Sequence, residues 1–358
     1  MPRVIVSDGS LGRPMQHLLF NGVGKLSWEE TADPVIQDDR DAIVRPIAVA
    51  RCDLDTAIAT GLYPMEPPFT MGHEIVGEIV EAGERAGDWS VGDRVIVPFQ
   101  ISCGECPTCM AGLTNACESV PLGAAYGLVL RDGMDFGGGL ADLVRVPWAD
   151  HMLLPLPGSI DPEVAAGIPD NVSDGYRTVA GPLAASPGAP VLVVGGPAQS
   201  VGLYAVAAAL ALGSERVVYV DFDERRTEIA AGFGAETVSL TFDELVEFKW
   251  QERFPITVDA CALPPGRNLA LRSTSACGHC TSVSGGPTAM TEVPLASMYA
   301  KGITYDVSRV QARATAPEVI ELVTEGRLDP GALITKVLPF EDAAEAMTED
   351  AIKIVFAR

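Results

Sequence analysis

The sequence predicts an α/β fold in two units: a β-rich, barrel-like unit, then a doubly wound parallel sheet with helices. Three observations carry this. The chain has 358 residues, and roughly 150 residues per domain suggests two domains. Residues 1 to about 157 hold short β-type runs broken by Gly and Pro. From Pro190 onward, short apolar runs alternate with helix-like stretches, the pattern of βαβ units whose strands are buried on both faces.

The elements follow in order. Ile43–Val49, Glu74–Glu81, Asp93–Pro98 and Asp142–Pro147 read as strands bounded by turn residues. Residues 161–180 lose the period-2 alternation and predict one helix starting near Asp161-Pro162. Val191–Val194 is a fully apolar strand, Gly195–Gly202 a Gly-rich turn and Val201–Leu212 an Ala-rich helix. Strands at Arg216–Val220, Thr237–Leu240, Thr257–Ala260, Cys280–Ser284 and Ile303–Val307 continue the series, with a helix at Asp223–Gly232. The last 50 or so residues add a helix at Val319–Val323, a strand at Lys336–Leu338, a helix at Ala343–Met347 and a strand at Ile352–Phe356.

Composition excludes some functions. Lys+Arg is 25 and Asp+Glu is 48, a formal net charge of −23. Phosphate backbones and anionic membranes need clustered cations, so nucleic acid and membrane partners are not expected. The N-terminal residues lack the pattern of a signal peptide. The longest apolar stretch, Val201–Leu212, is short of the roughly 20 residues that span a bilayer. A cytoplasmic protein with reduced thiols is expected, so clustered cysteines point to metal before disulfide.

Four of the eight cysteines, Cys103, Cys106, Cys109 and Cys117, read C-x2-C-x2-C-x7-C among Gly104, Pro107, Gly112 and Asn115. Four thiolates in a loop of turn residues suit a structural, tetrahedral Zn²⁺ that closes a segment too short for its own core. An iron–sulfur cluster is the competing metal reading, and four unrelated thiols the plain one. Such a site has no open coordination position, so it says nothing about catalysis.

Further candidates are dispersed: Cys52 within Arg51-Cys52-Asp53-Leu54-Asp55, His73 within Gly72-His73-Glu74, and Asp170 within Ile168-Pro169-Asp170-Asn171. Each alone reads as a buried thiol, a satisfied core histidine or a helix-end acid. Together, in order and spacing, Cys52, Gly72-His73-Glu74, the four-cysteine loop and the βαβ region resemble the zinc-dependent medium-chain alcohol dehydrogenase family over nearly the whole chain.

The resemblance implies that Cys52, His73 and Asp170 bind a catalytic Zn²⁺, giving two zincs per chain. Three protein ligands leave a position for substrate oxygen, whose hydroxyl pKa the cation lowers. Hydride would pass between an alcohol and an aldehyde or ketone on one side and nicotinamide on the other. Glu74 would tune the metal from behind, and Asp55 would orient His73 or support the metal loop. Leu54 and Phe99 fall at substrate-pocket positions. Leu54 also departs from the family, which usually carries Ser or Thr there to pass the proton, and Ala57 stands where many members place a relay His. Water, Asp53 or Asp55 would then carry the proton. Two rival readings remain: a reductase of conjugated C=C or carbonyl substrates lacking that relay, and a non-catalytic protein binding NAD and zinc.

The turn Gly195-Gly196-Pro197-Ala198-Gln199-Ser200-Val201-Gly202 departs from G-x-G-x-x-G. Pro197 replaces the second glycine, and Gly202 comes two residues late. Gly195 and Gly196 still allow the tight turn, and the helix N-terminus can hold a diphosphate. Asp221, at the next strand end, is placed to bind ribose hydroxyls and to repel a 2′-phosphate, favouring NAD over NADP. Arg225 and Arg226 are a counterweight, as adenine-stacking or phosphate-binding groups. The resemblance further implies Lys353 on the diphosphate and Thr178 near the nicotinamide.

Cys277-Gly278-His279-Cys280 matches a redox-type C-x-x-C, read here as coincidence in a small-residue turn at the sheet edge. Cys261 reads as a small buried side chain, while His17 and His151 carry no functional signal. The expected architecture is a GroES-like β catalytic domain (residues 1–170, with the zinc lobe at about 100–120), a Rossmann domain (171–308) and a C-terminal return to the first domain (309–358). The active site would lie between the domains. The partner is a small alcohol or aldehyde, and a homodimer or homotetramer would pair through the Rossmann sheet edge.

Overall fold

Apolar central strands buried over most of their length build a mixed sheet whose path runs Lys336–Pro339, Ile354–Ala357, Ala42–Ala50, Glu74–Ala82, Arg94–Val97 and Leu154–Pro155. Val144–Val146 pairs with the start of Ala42–Ala50. This computed structural model describes residues 14–129, 133–285 and 290–358. The C-terminal segment returns to this sheet: Ile354–Ala357 lies antiparallel to Ala42–Ala50, with Val355 opposite Ala50. A hairpin, Met15–Gly22 with Lys25–Thr31, packs alongside and pairs with Phe69–Thr70. These two strands were not among those read from the sequence: Met15–Gly22 mixes polar and apolar residues on both faces, and Lys25–Thr31 offers only Leu26 and Trp28 as apolar side chains.

The second half forms a six-stranded, fully parallel sheet. Its order is Glu236–Ser239, Val217–Asp221, Val191–Val194, Phe254–Asp259, Thr274–Ser282, Thr304–Val307. Val191–Val194 is buried at every position. The chain leaves it for Val217–Asp221 on one side and reaches Phe254–Asp259 on the other. The order reverses there, which opens a crevice at the strand C-termini where ligands bind in such sheets. The glycine turn lies at that point. A Cβ on Gly195 would stand 2.2 Å from the Asp221 carboxylate and from the Tyr219 hydroxyl, and one on Gly196 would stand 2.8 Å from Cys261 Cα. Neither position can hold a side chain. The helix that follows, Gln199–Ala211, is apolar and largely buried, as its Ala-rich sequence requires.

One core unites the two sheets. Ala48, Ala50 and Val76 of the first sheet belong to the same buried cluster as Val179, Val191, Leu203 and Tyr204. This shared core fixes the β unit against the start of the Gln199–Ala211 helix.

Two expected elements need correction. The single helix over 161–180 is instead a short helix Pro162–Ala165, a π turn Ile168–Val172 and a helix Ser173–Ala185. Pro169 cannot donate the amide that a continuous α-helix needs, and π turns frequently mark functional sites. The Cys277–Cys280 stretch is strand, not turn: it lies within Thr274–Ser282, beside the edge strand Thr304–Val307. Cys277 is exposed and Cys280 buried, and both are free thiols.

His151 proves structural. Its Nε2 lies 3.0 Å from Ser102 Oγ, and a Cβ on Gly104 would stand 2.5 Å from its ring. Burial, assisted by Arg313, depresses its pKa to about 4. A histidine held neutral stabilises the fold above its free pKa near 6.5 and loses that contribution as pH falls towards 4. His151→Asn is therefore expected to flatten the fall in urea midpoint between pH 7 and pH 4.5. Equal slopes for variant and wild type would contradict this.

Candidate active site

Cys52 is placed by the turn that starts the helix Asp53–Ala59. Its thiol accepts the Leu54 amide at 3.4 Å, and its own amide donates to Asp55 Oδ2 at 3.0 Å, a reciprocal cap that pins both side chains. His73 sits where the chain enters the strand Glu74–Ala82, and Asp170 lies in the π turn. All three are buried. Cys52 Sγ is 3.2 Å from Asp170 Oδ2, and His73 Nε2 is 3.3 Å from the same oxygen. One donor atom from each lies within 4.8 Å of the others.

This donor set fits a zinc ion. Sulfur, imidazole nitrogen and carboxylate oxygen are its usual ligands, and three of them converging in the interior can surround one cation. Burial first, and then Asp170, push the Cys52 thiol far above its ordinary value. A metal would reverse this, because a coordinating thiol is deprotonated.

The supporting side chains form one connected network. Asp55, fully buried, sets Oδ1 3.3 Å from His73 Nδ1, leaving Nε2 to face Cys52 and Asp170. Asn171 is the hub that sequence reading missed. Its Nδ2 donates to Cys52 Sγ at 3.2 Å and to Asp170 Oδ2 at 2.9 Å. Its Oδ1 accepts from Ser200 Oγ and from Lys353 Nζ, both at 2.8 Å. The available signal was its place directly after Asp170. Asn171→Ala is expected to weaken zinc at this site about 10- to 100-fold, the usual cost of removing a partner behind a ligand. Competition with a chromogenic chelator would measure it, and unchanged affinity would rule the role out.

Glu74 accepts the Asn171 amide at 3.3 Å and the Lys353 ammonium at 2.5 Å. Lys353 is 1% exposed. Against the penalty of burial, Glu74 holds its ammonium above the ordinary value. Lys353 therefore stands beneath the candidate metal site, joined to Glu74 and Asn171, instead of reaching openly towards a diphosphate. It directly precedes the last strand, where a position within it was expected. Phe99 packs 5.4 Å, ring to ring, from His73 and clusters with Ala125, Val310 and Ala312. Leu54 is half-buried against the Leu18, Phe69 and Met71 cluster. Thr178 is fully buried in the helix Ser173–Ala185. Its hydroxyl donates to Gly175 O at 2.6 Å, and its carbonyl accepts from Thr281 Oγ1 at 3.3 Å.

At the second strand end, Asp221 is fully buried. It accepts from Tyr219 Oη at 2.5 Å, from Arg226 at 2.6 and 2.8 Å, and from the Phe222 and Asp223 amides. The negative charge read from the sequence is thus paired inside the protein. Arg225 bridges Asp223 and Asp350. Gly202 packs in the helix over Ala260.

Cys103, Cys106, Cys109 and Cys117 converge, with one sulfur from each within 4.8 Å of the others. Amides of Glu105 and Cys106 point at Cys103 Sγ, those of Cys109 and Glu118 at Cys106 Sγ, and those of Cys103 and Ser119 at Cys117 Sγ. Although burial opposes it, hydrogen bonds from Ser119, Glu105 and Cys106 bring the Cys103 thiol down to about 6. Amides aimed at sulfur stabilise thiolates and suit a four-thiolate metal knot.

Comparisons with known proteins agree with this chemistry. Residues 38–158 match the alcohol dehydrogenase GroES-like domain, and residues 200–325 the zinc-binding dehydrogenase family. A Mycobacterium tuberculosis protein named as a probable zinc-binding alcohol dehydrogenase is 31% identical over 92% of this chain and 84% of its own length. The chain belongs to the zinc-dependent medium-chain dehydrogenase/reductase family. It is an oxidoreductase of the zinc-dependent alcohol dehydrogenase type. Alcohol dehydrogenase TADH from Thermus sp. ATN1 superposes with a TM-score of 0.85 at 28% identity, over 96% of this chain and 99% of that one. An alcohol dehydrogenase from Escherichia coli CFT073, solved with NADH, shares the fold with a TM-score of 0.81 at 24% identity, over 97% and 100%. In this zinc-dependent dehydrogenase, no helix among the described residues is long and apolar enough to cross a membrane.

Proposed function

We propose that this dehydrogenase moves a hydride between an alcohol and its aldehyde or ketone, with NAD as coenzyme and two zincs per chain. The observation that carries the reading is the buried convergence of Cys52, His73 and Asp170. Zinc held there would supply Lewis acidity with one position left for substrate oxygen. The second zinc belongs to the four-thiolate lobe.

The protein's own groups have definite tasks. Asp55 orients His73, and Asn171 restrains both anionic ligands. Glu74 and Lys353 form a buried pair beneath them. Phe99 and Leu54 wall the substrate side. NAD is favoured over NADP because the two arginines near the second strand end are already paired: Arg226 with Asp221, Arg225 with Asp223 and Asp350. Neither offers a free cation to a 2′-phosphate. Gly195, Gly196 and Gly202 let the coenzyme approach, with Thr178 towards its nicotinamide end.

Residues 1–170 and 309–358 would form the catalytic domain and residues 171–308 the coenzyme domain. Copies would pair through the edge strand Thr304–Val307 into a dimer or tetramer. Eight cysteines without a disulfide, five of them grouped as metal ligands, support a cytoplasmic setting.

Leu54 and Ala57 offer neither hydroxyl nor imidazole to a leaving proton. That observation favours a second reading, reduction of a conjugated C=C bond. The deciding experiment is a substrate panel of simple alcohols, aldehydes and enals with NAD(H) and NADP(H), with products identified in both directions. Interconversion of alcohol and carbonyl supports the first reading, and a saturated aldehyde from an enal replaces it with the second.

A further inference from the structure

The crevice proposed for the coenzyme already holds an acid. Asp53 Oδ2 accepts the Ser200 amide at 2.9 Å, across from the catalytic-side helix Asp53–Ala59 to the first turn of Gln199–Ala211. Exposed helix-start amides and the positive end of the helix dipole are what a diphosphate would use. The other oxygen, Asp53 Oδ1, is buried and has no hydrogen-bond partner, so the carboxylate is not fully satisfied where it lies.

Basic side chains around this turn are committed elsewhere. Arg51 gives its guanidinium to the carbonyls of Ala346, Glu349 and Ala351. Lys353 is joined to Glu74 and Asn171, and Arg226 to Asp221. Gln199 directs its amide to Ala351 O. An incoming diphosphate would meet a carboxylate on its own amide and, among the described basic side chains around this turn, none left unpaired to offset it.

We propose that Asp53 sets the coenzyme affinity: its carboxylate occupies the diphosphate position, and a dinucleotide binds by displacing it. This rests on the reading of the crevice as a nicotinamide-dinucleotide site. Removing the charge should therefore strengthen binding, whereas a merely structural tie would weaken it on removal.

The test compares wild type with Asp53→Asn, which keeps an acceptor without charge, and Asp53→Ser, which vacates the position. Dissociation constants for NADH, ADP-ribose and adenosine would be measured by calorimetry on the zinc-loaded protein, with thermal unfolding as a folding check. The expected result is NADH and ADP-ribose binding tighter by about tenfold or more in both variants, the scale of one close like charge at a protein surface, and adenosine unchanged. Folded variants that bind NADH as wild type does, or more weakly, would overturn the role of Asp53 and leave the coenzyme reading standing. Equal gains for adenosine would also overturn it, since adenosine carries no phosphate. If neither wild type nor variants bind NADH or ADP-ribose, both the inference and the coenzyme reading fall.

Discussion

Cys52→Ser should leave a folded protein that has lost one of two zincs and nearly all turnover. Folding survives because the cap at the Asp53–Ala59 helix keeps its backbone partners, and a serine hydroxyl can replace the thiol as acceptor for the Leu54 amide. The metal site fares differently. Cys52 contributes the soft anionic donor, and Asp170 and His73 alone leave a two-ligand site. Lewis acidity supplies several kcal/mol of charge stabilisation, so its loss lowers kcat/KM on the order of a thousandfold or more. The measurements are metal content by mass spectrometry and turnover under matched conditions. Two zincs retained with full turnover would remove Cys52 from the catalytic set. One zinc retained with full turnover would place catalysis outside this metal altogether.

Legibility from sequence tracked how local each constraint is. The four-cysteine lobe could be read because its ligands lie within 15 residues and its turn residues force them together. Parallel strands such as Val191–Val194 could be read because burial on both faces leaves no polar position. The dispersed set Cys52, His73 and Asp170 needed the resemblance, since its members come from a helix cap, a strand entry and a π turn that together span more than a hundred residues. Asn171 was missed for the same reason: apart from its neighbour Asp170, its partners Cys52, Glu74, Ser200 and Lys353 lie on four different segments, and asparagine has no period or spacing of its own. The pairing of Arg226 with Asp221 was also hidden. The two lie only five residues apart, on a strand end and the helix after it, but only the fold reveals that Tyr219 and two amides complete the shell. Lys353 shows the limit of transfer by position, because a basic residue expected on a phosphate is taken by Glu74 two sheet strands away.

Removing metal from the four-cysteine lobe should produce the largest loss of structure. The lobe's core is little more than its own sulfurs: Cys103, Cys109 and Cys117 cluster with Cys106, Val120 and Trp148. Structural zinc contributes about 10–16 kcal/mol of apparent binding energy in small zinc modules, comparable with the whole net stability of a typical domain. No apolar contact within residues 103–117 can replace that. Without the ion, four sulfurs aimed at one point are also mutually repulsive as thiolates, or leave the surrounding amides poorly served as thiols. The effect should spread along identified contacts. Asn115 donates its amide to Gln311 Oε1 at 2.8 Å and its side chain to Arg309 O at 2.9 Å, and Arg309 returns a bond to Asn115 O. Val310, between them, packs against Phe99, and Phe99 against His73. Cys106→Ser is therefore expected to lose one zinc, expose residues 103–117 to limited proteolysis and lower the melting temperature. It should raise KM more than it lowers kcat, because the wall beside His73 loosens while Cys52, His73 and Asp170 keep their places. A variant with one zinc lost but wild-type proteolysis and melting would show that the lobe holds itself together without its metal.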